Sequence, residues 1–239
     1  MTPREPVLLI TGASGGIGSA TARLARAAGW RLVLMARSPR VTQLAQELGG
    51  QSFARVVVGE VTERVDLQHA VGVATEQFGG LDAAFVNAGI TAGPRRYRPD
   101  ADEEPVDGWR DMVLTNILGT ALTVRAVSTA LVESRGRLVI TGSVLGRYAM
   151  SSSFYSATKH AVAGIAETVR LELLGTGVGV TLVEPGPVAT TFSATAGPTV
   201  GEVPELSSDD VARAVLFALS QPPGVDINEL LIRPHGATP

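Results

Sequence analysis

Short apolar runs alternate along this chain with longer segments in which apolar residues recur every three or four positions. The runs fall at 7–12 (VLLITG), 31–37 (RLVLMAR), 55–61 (RVVVGEV), 81–89 (LDAAFVNAG), 136–143 (GRLVITGS), 178–186 (VGVTLVEPG) and 228–233 (NELLIR). Most are β-branched or aliphatic and nearly continuous, which is the pattern of strands buried on both faces. The segments between them, 17–28, 39–48, 63–78, 107–134, 153–174 and 207–220, are expected as helices. Gly29, after ARLARAA, predicts a helix stop, and SSDDVARAV, opening on serines and acids, predicts a helix start. Alternation of this kind from end to end predicts an α/β fold: one domain over 1–239, built on a mostly parallel seven-stranded sheet with helices on both faces.

Two loops, 90–106 and 187–206, follow the carboxyl ends of predicted strands, where open α/β sheets bind ligands. The second is rich in small residues and is expected to close over a ligand. Its Phe192, Ala194 and Val200 predict a small or moderately apolar pocket. Composition then removes several classes of function. The chain has 239 residues, enough for a core without covalent staples, and no cysteine, which excludes disulfides, thiolate metal sites and thiol nucleophiles. A net charge of −3 with no basic face argues against nucleic acid as a partner. No run approaches the roughly 20 continuous apolar residues of a membrane span, so a soluble cytoplasmic protein is expected. His69, His160 and His235 lack metal-ligand spacing. Arg95, Arg96 and Arg98 read mainly as solvated, with an anionic substrate as the lesser reading; Glu103 and Glu104 read as loop solubility. Tyr97 and Tyr148 are candidate pocket residues, and Trp109 is expected to pack a helix.

Candidate chemistry begins with TGASGGIG, which follows the first strand and opens the first helix. Gly12, Gly16 and Gly18 allow a tight turn and close approach of backbone to a pyrophosphate, the helix amides favour its negative charge, and Ser14 adds a hydroxyl. About 20 residues on, a carboxylate would select the ribose hydroxyl of NAD. This chain has Ala36 and Arg37 there. An arginine fork suits a 2′-phosphate, which favours NADP over NAD, with Arg40 as a second contact. FYSATKHAV places Tyr155 and Lys159 four residues apart, on one helical face. A tyrosine titrates near 10, so proton exchange near neutrality calls for a nearby cation that favours the phenolate.

Together these motifs resemble the short-chain dehydrogenase/reductases. TGASGGIG, VNAG (86–89), TNILG with Asn116, ITGSVLG with Ser143, YSATK with Tyr155 and Lys159, and EPGPVAT (184–190) come in family order between residue 7 and about residue 192. Val86 stands where the family writes a first asparagine, and Glu60 where it usually has an aspartate beside adenine. The resemblance implies a Rossmann-type doubly wound fold and an NADP(H)-dependent enzyme that interconverts a carbonyl and an alcohol without a metal. Tyr155 would be its general acid/base, Ser143 would orient the substrate oxygen, Lys159 would hold the ribose and assist the tyrosine, and Asn116 would anchor a proton-relay water. It implies cofactor contacts from Gly12, Ser14, Gly15, Gly16, Ile17 and Gly18, from Arg37, Glu60 and Val61, from Asn87, Ala88 and Gly89, and from Pro185, Gly186, Val188 and Thr190, with Tyr155 and Lys159 shared. It also implies a homotetramer or homodimer built on the long helices. INELLIRP resembles a subset acting on small polar alcohols such as 3-hydroxy acids. An NAD-linked dehydrogenase, a non-catalytic NADP-binding regulator and a sugar-nucleotide epimerase are the rival readings. The last usually has a longer C-terminal substrate domain.

Overall fold

Every apolar run becomes a strand, each shorter than its run. In the computed structural model, which describes residues 4–93, 97, 106–150, 153–190 and 204–236, the strands are β1 Val7–Thr11, β2 Arg31–Ala36, β3 Ala54–Val58, β4 Ala83–Val86, β5 Arg137–Thr141, β6 Gly179–Pro185 and β7 Glu229–Ile232. The helices are α1 Gly16–Ala27, α2 Arg40–Glu47, α3 Arg64–Phe78, α4 Asp107–Met112, α5 Thr120–Ser134, α6 Phe154–Glu172 and α7 Ser208–Leu219. The sheet order is β3-β2-β1-β4-β5-β6-β7 and every pairing is parallel. The chain winds outward from β1 in one direction and from β4 in the other, so the crevice at their carboxyl ends is a topological switch point.

The strand period of two divides the core. Leu8 and Ile10 face α1, α2 and α7 with Leu34, Leu44, Val211 and Val215. Val7 and Leu9 face α3, α5 and α6 with Val33, Phe78, Leu131 and Val162. The edge strand β7 departs from the expectation of burial on both faces: Glu229 and Leu231 are exposed, because nothing among the described residues covers its outer side.

The helix ends follow their chemistry. Gly29 takes φ +88° just beyond α1, and its amide donates to the Arg26 carbonyl. Ser207 and Asp210 form a reciprocal capping box at α7. The expected helix over 107–134 needs correction. Its middle, Val113–Gly119, is a π segment between α4 and α5. Gly119 permits this packing, since a Cβ there would lie 2.6 Å from Val61 Cγ2. The whole stretch Asp107–Ser134 is also long and apolar enough to cross a membrane by length and composition, with a mean hydropathy of 1.2 in its best window. It packs against α3, α6, β4 and β5 as a core element.

Candidate active site

β1 ends in Thr11, which is fully buried, and its hydroxyl accepts from the amides of Asn87 (3.0 Å) and Ala88 (3.3 Å). Those amides leave the sheet ladder, which is why β4 stops at Val86 although the apolar run reaches Gly89. Asn87 is pinned from both sides: its Nδ2 donates to the Thr11 and Gly12 carbonyls, and its Oδ1 accepts from Thr141 Oγ1 at 3.2 Å. Gly12 has φ +65°, and a Cβ there would fall 2.9 Å from Ala88 Cα. The glycine turn and the Asn87–Gly89 turn therefore pack backbone to backbone at the switch point.

The three glycines do different things. Gly18 lacks a side chain because a Cβ would sit 2.3 Å from the Gly12 carbonyl; Gly16 lacks one because Thr190 Cγ2 and Ser208 Oγ occupy the space, at 2.6 and 2.7 Å. Only Ser14 and Gly15 are fully exposed. No side chain caps α1, so the first amides of that helix face the turn as an anion site. Gly18→Ala is expected to force the Gly12 carbonyl aside and destabilise the fold by about 1–3 kcal/mol, with dinucleotide affinity lost as well. Thermal unfolding and cofactor titration would check both, and an unchanged melting temperature would contradict the packing.

Beside this turn lies an open cleft of about 220 Å³ walled by Ser14, Ser19, Arg23, Arg40, Gln43, Leu44 and Glu47. Arg40 is on its wall; Arg37 is exposed nearby but outside that lining. Arg23 is paired with Glu47 at 2.9 Å. The Arg40 side chain forms no ion pair among the described residues, so it is available for an anionic group. The exposed turns and this cleft fit a dinucleotide. Two further expected contacts follow β3. Val61 is packed beneath Gly119, and Glu60 is exposed, accepting from Thr62 Oγ1 at 3.4 Å. Pro185, Gly186 and Val188 continue β6 along the same rim: Gly186 N donates to the Ile232 carbonyl, and Val188 bridges to Leu206. The expectations for Arg95, Arg96, Arg98, Glu103, Glu104, Phe192, Ala194 and Val200 lie outside the described residues.

Ser143, Tyr155, Lys159 and Asn116 come together at the carboxyl edge of β4 and β5. Ser143 caps a short turn, Val144–Gly146, its Oγ accepting from Leu145 N at 3.1 Å. The Ser143 side chain also hydrogen-bonds the Tyr155 hydroxyl. Ser153 caps α6, and Ser156 Oγ donates to the carbonyls of Leu145 (2.8 Å) and Tyr148 (3.2 Å), locking the helix start to the serine turn. Gly146 lets that turn approach, since a Cβ would meet the Lys159 carbonyl at 2.8 Å. Lys159 is only 5% exposed; its Nζ donates to the Thr141 carbonyl at 2.8 Å and lies 5.7 Å from the Tyr155 ring centroid.

Burial moves the two titrating groups apart. It pushes the Tyr155 hydroxyl well above its ordinary 10.0, with the Ser143 hydrogen bond pulling the other way. It pulls the Lys159 ammonium from 10.5 down to about 8.

Asn116 is held by the π segment with both hands occupied. Its Oδ1 accepts from Ile90 N (2.8 Å), and its Nδ2 donates to the Ile90 carbonyl (2.9 Å) and to Thr158 Oγ1 (3.1 Å). A Cβ on Gly89 would lie 3.4 Å from Asn116 Oδ1 and 3.9 Å from Lys159 Nζ, so the glycine keeps the space beside both groups open. Thr11, Thr158, Ser156 and Ser19 were missed by sequence reasoning, although each is a hydroxyl residue in or beside a recognised motif. At the mouth, Trp109 stacks on Phe154 (4.9 Å, 15°) and meets Tyr97 (5.3 Å), so it packs two elements together as well as its own helix.

A phosphate-ready helix end at the switch point, with a half-buried phenol beside a buried lysine two strands away, fits a nucleotide-dependent oxidoreductase. A family model for short chain dehydrogenases matches residues 6–200, and the chain belongs to that family. An uncharacterised oxidoreductase of Staphylococcus aureus is 36% identical over 232 residues, covering 96% of this chain and 97% of the relative. Among solved structures, the alcohol dehydrogenase of the archaeon Thermococcus sibiricus, complexed with 5-hydroxy-NADP, superposes with a TM-score of 0.81 at 28% identity and covers 98% of both chains. Serine dehydrogenase of Escherichia coli gives 0.81 at 27% identity, over 95% of this chain and 96% of that one.

Proposed function

We propose that the chain is an NADP(H)-dependent oxidoreductase that interconverts a ketone or aldehyde and an alcohol, with 1–239 acting as one cofactor-binding and catalytic unit in the cytoplasm. The observation that carries this reading is the hydrogen bond between buried Ser143 and half-buried Tyr155, beside buried Lys159. Bound NADP(H) would supply or take up the hydride. The chain does the rest. Ser143, its lone pair engaged by Leu145 N, directs its proton at the substrate oxygen. Tyr155, held neutral by burial, gives that oxygen a proton in reduction and takes it back in oxidation. Lys159 positions the cofactor ribose, and Asn116 presents an acceptor toward it. Exposed Val113, Leu118, Val132 and Leu171 on the long helical stretches support assembly as a dimer or tetramer.

NADP is favoured by Arg40 on the cleft wall, by exposed Arg37 nearby and by the relative solved with an NADP derivative. Arg40→Ala and Arg37→Ala are each expected to weaken NADPH binding by about tenfold to a hundredfold and NADH binding far less. Equal loss for both cofactors would remove the phosphate assignment. The central test is NADPH oxidation over a broad panel of ketones and aldehydes, with NADH alongside. Binding of NADPH without turnover of any carbonyl would favour a cofactor-binding protein that does not catalyse.

A further inference from the structure

Arg233, just after β7, carries a buried guanidinium nitrogen, Nη2, with no hydrogen-bond partner among the described residues. Buried polar groups are nearly always satisfied, and a charged donor left unpaired is the exception that calls for a ligand. The carboxylates that could have served it are taken. Glu184 of β6, 1% exposed, and Glu229 of β7 both bind Arg147, the first at 2.5 Å. Arg233 itself forms no ion pair among the described residues.

Its position is the second observation. Gly186 N donates to the Ile232 carbonyl at 2.8 Å, and a Cβ on Gly186 would lie 3.6 Å from Arg233 Cα. The guanidinium carbon sits 5.2 Å from the ring centroid of Tyr148. The Tyr148 carbonyl in turn accepts from Ser156, the residue after Tyr155. Arg233 therefore lies between the β6 rim and Tyr148, just beyond the turn that Ser143 caps.

We propose that Arg233 is the anion-recognising residue of the substrate pocket, and that the carbonyl compound bears a carboxylate or phosphate group. The inference rests on the carbonyl–alcohol reading and adds no chemical step to it. A guanidinium stacked on an aromatic face keeps its planar fork fixed, which suits bidentate recognition of either oxyanion.

The test is reduction of matched pairs with NADPH: pyruvate, acetoacetate and levulinate against their methyl esters, and dihydroxyacetone phosphate against dihydroxyacetone. We expect kcat/KM to favour the anionic member of one group by about tenfold or more, and added salt to erode that preference. Which group shows it separates carboxylate from phosphate. Arg233→Met should bring the ratio close to unity, and Arg233→Lys should leave it in between. Neutral members reduced as well as anionic ones, or a ratio unaltered in Arg233→Met, overturns the assignment. Should neither Arg233 variant fold, a wild-type ratio near unity still overturns the assignment. Absence of turnover for every carbonyl, charged or neutral, overturns the parent reading and this one with it; good turnover of neutral ketones alone overturns only this one.

Discussion

Tyr155→Phe should lower turnover by about 10²–10⁴-fold, the usual contribution of a positioned general acid, while NADP(H) affinity stays close to that of the wild type. The ring is retained, so packing is kept; what goes is the proton and the hydrogen bond to Ser143. The pH dependence adds a sign. Burial holds the hydroxyl above 10.0, so the acid form dominates at neutral pH and the base form is scarce. For the free enzyme, kcat/KM for carbonyl reduction should vary little between about pH 6 and 9, whereas kcat/KM for alcohol oxidation should climb with pH over that range. Both profiles should be lost in Tyr155→Phe. A variant that turns over at the wild-type rate would take Tyr155 out of the chemistry.

Lys159→Met is expected to separate activity from stability. Turnover should fall by about a hundredfold or more, since the ammonium beside the phenol and the ribose contact both disappear. The apoprotein, however, should become more stable. Folding moves Lys159 from 10.5 to about 8, which corresponds to about 3 kcal/mol held against the charged form. Below pH 8 the group is protonated in both states and that deficit is present in full. Between 8 and 10.5 the unfolded chain binds more protons than the folded one, so wild-type stability rises with pH through that window. Tyr155 works the other way above 10, where the folded chain keeps a proton that the unfolded chain releases. Losing the bond to the Thr141 carbonyl offsets part of the gain, leaving about 1–2 kcal/mol net. Melting curves of the apoprotein from pH 7 to about pH 10 would show a rising slope in the wild type and a flat one in the variant. A rising slope in both would mean that Lys159 is not the group that titrates.

The parallel sheet and the two-sided core were legible in the sequence because continuous apolar runs alternate with helical segments. Leu8 and Leu9 cannot face the same way on a strand, and continuous runs demand cover on both sides. That Asn116, Ser143, Tyr155 and Lys159 share one neighbourhood was legible too, through motif order and the spacing of Tyr155 and Lys159. The strand ends were not. β4 stops at Val86 because Thr11, 75 positions before it, captures the next amides. The π segment left no mark in the periodicity of 107–134, since one extra residue in a turn shifts an apolar stripe without abolishing it. Nor could spacing reveal that burial governs Tyr155, because desolvation is a property of the assembled walls. The orphaned nitrogen of Arg233 is likewise invisible until Arg147 is seen to hold both carboxylates.

A π turn is geometrically an α-helix that has taken in one additional residue. In Val113–Gly119 that addition turns the two halves of the helical path out of phase. The first half carries Trp109 to the mouth of the crevice, and the second carries Leu131 and Val127 into the core beneath the sheet. Asn116 lies at the joint, where the loosened ladder lets its amide span Ile90 and Thr158 at once. A shorter helix in perfect phase would have better-formed main-chain bonds, but it would lack this joint. The polar wall facing Lys159 is in that sense an insertion kept in the chain at the expense of helical regularity.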